Sequence, residues 1–498
     1  MYRTKDLYRC GLGEHWRRQI GDVTPTAFSR KIGGCEDLIH RLINYAELEG
    51  HNGCVNTVSF NPSGELLVSG SDDQEIKVWN WGSKTEVLSY ESGHEDNVFQ
   101  ARVMPYSDDR IIVSCAADGQ VRYGTILENG RVSTKNLAKH RNRAHKMAIE
   151  PGSPRIFYSC GEDGVVRHFD LREEKSTKLL TCHQFRASTG KPSRSRVVRL
   201  NAIVMNPRNF NYFAVGGSDQ YARVYDLRRV NANGFEMEDN PVQCYAPKHL
   251  QGRDHEEHIT CVAYSHQEEL LVTYNDELIY LFDKSMSLGS GPEQRNSEDD
   301  WKGDDEGEGS QQDVPQPQVY EGHRNHQTVK GVNFLGPNTE YVVSGSDCGR
   351  IFIWKKKGGE LVALIKGDNK VVNCLEPHPY ATVLATSGID ETIKVWAPIS
   401  ERILELPQDA ERVMKINKRR RESHASSVPL TAGLVRTLLL QRHLQIPTEG
   451  EGGTYTRVSF EGGSFDDEIA AVLDSDFEGD DDSSDDGGNG NPRECIIS

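Results

Sequence analysis

Paired cysteines are missing from this sequence. Its eleven cysteines are scattered over 498 residues, and none stands in C-x-x-C spacing. A disulfide framework is denser, and a structural zinc site shows such pairs. The cysteines are therefore expected to be reduced and mostly buried. Long apolar runs are missing too: no stretch approaches the ~20 residues of a spanning helix. The opening MYRTKDLYRC carries charge where a secretory leader has its apolar core. A soluble, intracellular chain is the expectation. There is also no Gly-rich phosphate loop, no G-x-S-x-G and no H-E-x-x-H, so no enzyme class is indicated and no cofactor is expected.

Acidic charge is present in excess, but unevenly. The net charge is −17. Residues 461–498 hold thirteen Asp/Glu against one Arg, and residues 287–318 hold nine against two basic residues. Outside these stretches the chain is close to neutral. Both stretches are rich in Ser, Gly and Asp and lack the apolar content to offset the entropy cost of folding. They read as a disordered acidic insertion and a disordered acidic tail, solubilising segments first of all. Ser297, followed by Glu-Asp-Asp, and Ser483–Ser484, followed by Asp-Asp, also suit acid-directed kinases.

The remaining chain repeats itself. VSGSDDQEIKVWNW (68–81), VSCAADGQVRYG (113–124), YSCGEDGVVRHFDLR (158–172), VGGSDQYARVYDLR (215–228), TYNDELIYLFD (273–283), VSGSDCGRIFIW (343–354) and ATSGIDETIKVW (385–396) share one pattern. Each is an apolar strand, a Ser/Gly/Asp turn and a second alternating strand. Their closing positions, Trp79, Gly124, Phe169, Tyr225, Phe282, Trp354 and Trp396, fall 45, 45, 56, 57, 72 and 42 residues apart. The long gaps hold 173–196, 229–254 and 284–319, all polar and turn-rich. A histidine precedes most copies: His51, His94, His140, His258 and His323.

Seven such copies resemble WD40 repeats. The resemblance implies an all-β, seven-bladed β-propeller over residues 40–398, four strands per blade. In such repeats the His, the turn Asp and the Trp form a buried hydrogen-bonded network, and His51, Ser69, Asp73 and Trp79 make one complete set. Gly124 replaces the Trp in the second copy and Cys348 the turn Asp in the sixth, so those blades should rely more on packing. The seventh copy ends one strand short near Pro398. LINYAEL (42–48) has strand character and is expected to complete it, leaving no open edge. His255 with His258, and His323 with His326, could be named metal pairs. The plainer reading makes His258 and His323 repeat histidines, with no metal site.

The third and fourth copies close on Phe169-Asp170-Leu171-Arg172 and Tyr225-Asp226-Leu227-Arg228. Equivalent turns of adjacent blades share a face, so Arg172 and Arg228 should project side by side, with Asp170 and Asp226 as holders. A guanidinium is a rigid multi-donor fork suited to interfaces. The pair resembles the W-D-x-R signature of cullin-4-associated factors, with Phe and Tyr in place of Trp, a variation that family tolerates. Stretches 49–73, 91–105, 320–334, 342–354 and 371–398 strengthen the likeness to those receptors. It implies a non-catalytic substrate receptor of a cullin-4 RING ubiquitin ligase. Asp170, Arg172, Asp226 and Arg228 would meet the adaptor, the large subunit of the damaged-DNA-binding complex, and through it cullin-4. Protein substrates remain unnamed, and no direct nucleic-acid contact is expected. The alternative is a WD40 scaffold binding histone or other basic peptides outside any ligase.

The flanks complete the plan. Residues 1–39 form an N-terminal segment in which KDLYRCGLGEHWRRQI (5–20) is a candidate adaptor-docking helix, weakened by Gly11 and Gly13. Residues 399–446 read as a helical basic extension. Within it Lys415, Lys418, Arg419, Arg420 and Arg421 are either a solvated helix face or a nuclear-import or nucleic-acid patch. PLTAGLVRTLLLQRHL (429–444) has helical apolar spacing. Residues 447–498 are the acidic tail, ending in Cys495-Ile496-Ile497-Ser498, a C-a-a-X pattern for farnesylation of Cys495. One lipid on an acidic segment anchors poorly, so membrane contact is expected only if Cys495 is prenylated. The expected location is nucleus and cytoplasm.

Overall fold

The structure, a computed structural model, describes residues 14–173, 175–185, 196–229, 239–251, 257–291 and 315–425. Cys495 and residues 429–444 and 447–498 lie outside the described residues.

Seven four-stranded antiparallel sheets form a seven-bladed propeller. The first blade is Val55–Phe60, Leu66–Ser71, Glu75–Asn80 and Thr85–Glu91. Blades two and three begin at Val98–Val103 and Ala144–Ile149, blades four and five at Leu200–Met205 and Ile259–Tyr264, and blades six and seven at Val332–Leu335 and Val372–Pro377. These first strands neighbour one another around the axis.

Burial explains the strand sequences. LLVSGS (Leu66–Ser71) is buried almost throughout, because adjacent blades cover both faces of its sheet. The outer Thr85–Glu91 meets solvent and keeps no fully buried residue. The core follows the same logic. It divides into seven apolar clusters, each shared by two neighbouring blades. A blade is therefore stable only between its neighbours.

The ring closes where the sequence suggests. β1 (Leu42–Leu48) pairs antiparallel with Ile393–Pro398, from Leu42 opposite Pro398 to Leu48 opposite Ile393. β1 is thus the outer strand of blade seven. Leu42 joins the cluster between blades six and seven, and Leu48 that between blades seven and one.

Some boundaries differ from the sequence reading. The long polar gaps carry the outer strands of blades three, four and five: Thr177–Thr181, Gln243–Tyr245 and Gln318–Tyr320. These strands are short and solvent-edged, so they lack the apolar alternation that marks inner strands. Gln318, placed at the end of the acidic insertion, pairs with Leu281. At the insertion's other end, the Leu288 amide donates to the Cys244 carbonyl at 2.8 Å.

Outside the ring, a helix over 14–19 precedes α1 (Pro25–Gly33) and α2 (Glu36–Ile39). Thr24 caps α1, its hydroxyl accepting from the Ala27 amide at 3.2 Å. After the ring comes α3 (Ala410–Ala425).

The His–Asp networks vary from blade to blade. In blade one, His51 lies 2.7 Å from both Asp73 and Ser69, and the Trp79 indole donates to Ser69 at 2.8 Å. A carboxylate only accepts, so His51 Nδ1 carries the proton. Blade two was expected to rely on packing, yet it keeps His94 on Ser114 (2.9 Å) and Asp118 (3.3 Å). Only the Trp is missing: a Cβ at Gly124 would sit 3.1 Å from the Tyr90 hydroxyl, which occupies that space. Blade three repeats the trio with His140, Ser159 and Asp163. Blade seven places Asp368 at the histidine position, bound at 2.5 Å by Lys394, which also reaches Asp390 at 3.2 Å.

Candidate adaptor-docking face

In an antiparallel blade, the turn after the first strand and the turn after the third lie at the same end. Asp170 ends the third strand of blade three, opposite Ile156; Asp226 ends that of blade four, opposite Tyr212. The two Asp-x-Arg turns therefore occupy equivalent places on one face of the propeller.

Their geometry is nearly identical. Asp170 Oδ1 accepts from the Arg172 amide at 3.0 Å, and its carboxylate grips the guanidinium through Nε (2.9 Å) and Nη2 (2.5 Å). Asp226 does the same for Arg228, at 3.0, 2.9 and 2.7 Å. In each pair the carboxylate is 9% exposed, while the arginine is 60% or 59% exposed. The holder is sunk and the fork is presented. The bidentate hydrogen bonds from Arg172 and Arg228 keep the Asp170 and Asp226 carboxyls below the usual range. An exposed ion pair contributes little stability, so this arrangement orders the guanidinium more than it holds the fold. Arg228 also donates to the Tyr212 hydroxyl at 3.0 Å and lies 5.6 Å from that ring. The sequence reading missed Tyr212, because it opens a different strand.

That reading also missed an apolar component of this face. Tyr106, Phe210 and Tyr380 are 78%, 50% and 67% exposed. They sit in the first turns of blades two, four and seven. Leu127 and Ile399, in or after third-strand turns, are exposed as well. Each aromatic follows a proline within three residues, in MPY, NPRNF and HPY. That repeated placement was the available signal. Aromatics and arginines together are the composition of interface centres.

The N-terminal helices lie at the same end, on blades six and seven. Tyr341 donates to the Gly34 carbonyl at 3.1 Å and Thr382 to Gly33 at 2.7 Å. Lys355 pairs with Glu36 at 3.2 Å, and Arg41 donates to the Ser400 carbonyl at 2.7 Å. Lys31 ties the helix over 14–19 to α1 through Glu14. Trp16 and Ile20 are left 61% and 56% exposed.

The remaining sequence candidates fall elsewhere. Lys415, Lys418, Arg419 and Arg420 are exposed on α3, with Arg421 half-buried. His323 is buried against Trp354, whereas His326 binds Asp276 at 2.6 Å. These two histidines are thus separated by role. His255 lies outside the described residues. Among the described residues no cluster of three or more His, Cys, Asp or Glu has metal-binding geometry.

The family described as "WD domain, G-beta repeat" matches residues 43–80, 315–355 and 359–397. Human "WD and tetratricopeptide repeats protein 1" is 24% identical, over 83% of this chain and 94% of its own length. "Protein ALTERED SEED GERMINATION 2" of Arabidopsis thaliana is 35% identical, over 51% of this chain and 37% of its own. Mouse "DDB1- and CUL4-associated factor 6" is 33% identical, over 54% of this chain and 30% of its own. The match spans about a third of the length of these last two relatives.

Proposed function

We propose that this WD40-repeat protein is a non-catalytic substrate receptor that bridges the cullin-4 adaptor, and through it cullin-4, to proteins to be ubiquitinated. The observation that carries the proposal is the matched pair of presented arginines, Arg172 and Arg228, on one face of adjacent blades. The exposed aromatics and the N-terminal helices on the same face support an interface there. Relatives named as DDB1- and CUL4-associated factors support the choice of partner. A finer placement beside the eighth member of the cullin-4-associated factors rests on stretches such as 49–73 and 371–398. Residence in nucleus and cytoplasm, and prenylation at Cys495, belong to the same proposal.

The chemistry needed is recognition alone. A sunk carboxylate pre-orders each fork, so little side-chain entropy is lost on docking. The test titrates purified chain against purified adaptor. Arg172→Ala/Arg228→Ala should weaken binding by roughly tenfold or more without moving the melting temperature. Equal affinity of variant and wild type would remove these arginines from the interface.

A further inference from the structure

α3 is seated on a defect in the ring. In blade six Cys348 stands where blade one has Asp73. His323 is fully buried, and among the described residues neither of its ring nitrogens has a hydrogen-bond partner. Burial pushes that ring down to about 3. α3 covers this place. Asn417, 3% exposed, donates to the Gly322 carbonyl at 2.8 Å and lies 3.5 Å from Cys348 Sγ. Gly322 has φ +102°, and a Cβ there would come within 2.8 Å of the Met414 side chain. Ala410 and Val413 join the core shared by blades five and six. Asp409, just before the helix, accepts from Arg350 at 2.8 Å. The docked positions 410, 413, 414 and 417 form one helical stripe.

The outward side is basic. Arg412, Lys415, Lys418, Arg419 and Arg420 are exposed, against only two acids within the helix, Glu411 and Glu422. Ile416 lies among these cations, 37% exposed. Arg412, Ile416, Arg419 and Arg420 follow four- and three-residue spacing, so they share a stripe opposite the docked one.

We propose that the outer face of α3 binds an acidic peptide segment of a partner protein, one that carries an apolar side chain among its carboxylates. Charge complementarity selects the acidic partner, and Ile416 selects a peptide over nucleic acid. A phosphate backbone has no use for an apolar contact, and α3 carries no Phe, Tyr or Trp for base stacking. The anchored helix holds its cations in place before binding, which lowers the ordering cost. α3 sits by the turn between the second and third strands of blade six, at the opposite end from Arg172 and Arg228. The proposal therefore stands independently of adaptor docking.

The test is fluorescence anisotropy on the full chain. The probe is a labelled Asp/Glu peptide with one central Leu, long enough to span the roughly 24 Å of α3. Comparators are the same peptide with Ser for Leu and a single-stranded DNA of equal charge. Lys415→Glu/Arg419→Glu/Arg420→Glu should weaken the Leu peptide by about tenfold or more. Arg131→Glu/Lys135→Glu, on the outer edge of blade two, should leave it unchanged. Ile416→Ser should weaken the Leu peptide and not the Ser peptide, a readout that survives if the triple variant misfolds. Equal loss in the blade-two control, no preference for Leu over Ser, no binding at all, or tighter binding of the DNA would each overturn the proposal.

Discussion

Ser69 accepts one hydrogen bond, from Trp79, and donates another, to His51 Nε2, so its blade depends on it more than blade two depends on Ser114. The Ser69 hydroxyl accepts from Trp79 and faces His51, whereas Ser114 meets His94 alone. Each buried polar group left unpaired costs about 1–3 kcal/mol. Ser69→Ala should therefore destabilise by about 2–3 kcal/mol and Ser114→Ala by about 1 kcal/mol, as chemical denaturation would measure. The acidic partners respond to pH in two directions. Burial tends to raise Asp73, Asp118 and Asp163. Their histidines and backbone amides outweigh it and hold the carboxyls below the ordinary value. A depressed carboxyl stabilises the fold above the unfolded value of about 3.9 and loses that contribution as pH falls through the folded value. Melting temperature should drop below about pH 4, and less steeply in Asp73→Asn. Asp368 behaves oppositely. Burial pushes it up to about 6, against the pull of Lys394. Its folded form binds the proton more tightly, so its contribution is full near pH 4 and declines as pH rises through 6. Between pH 4 and 7 the wild type should lose about 2 kcal/mol relative to Asp368→Asn. Parallel stability curves for the two would refute this.

Among elements, β1 does the most for its length. Its two ends sit in different interblade cores, with Leu42 and Leu48 exposed by 1% and 2%. Leu42→Ala and Leu48→Ala should each cost about 2–5 kcal/mol. The costs should add, because the two side chains share no cluster. A double-mutant cycle in urea checks both statements. β1 was legible in the sequence, because the seventh repeat lacks a strand and LINYAEL alternates just upstream of the first. The inner strands were legible for a similar reason: their turns carry Ser, Gly and Asp at fixed offsets. The outer strands of blades three to five were not, since three- to five-residue edges such as Gln243–Tyr245 carry no periodicity. α3 was legible as a helix, but its seat was not. Nothing in DAERVMKINKRRRE shows that Asn417 will reach the Gly322 carbonyl, 95 residues away in sequence. Asn417→Ala should lower stability by about 1–3 kcal/mol.

At the scale of the whole molecule, the ring brings distant short signals onto one face. The Asp-x-Arg turns were visible because they recur in consecutive repeats. Tyr106, Phe210 and Tyr380 were passed over because each looks like an ordinary loop aromatic until the blades line up their first turns. The N-terminal helices reach the same face through Tyr341 and Thr382, 307 and 349 residues downstream of their partners in the chain. The resulting surface has presented arginines on blades three and four, aromatics on blades two, four and seven and helices on blades six and seven. Its proposed role is best tested by affinity purification from cells of wild type beside Arg172→Ala/Arg228→Ala, with adaptor and cullin-4 quantified. Adaptor and cullin-4 recovered with wild type and lost from a variant of unchanged melting temperature is the expected result. Their absence from the wild-type purification would contradict the receptor role outright.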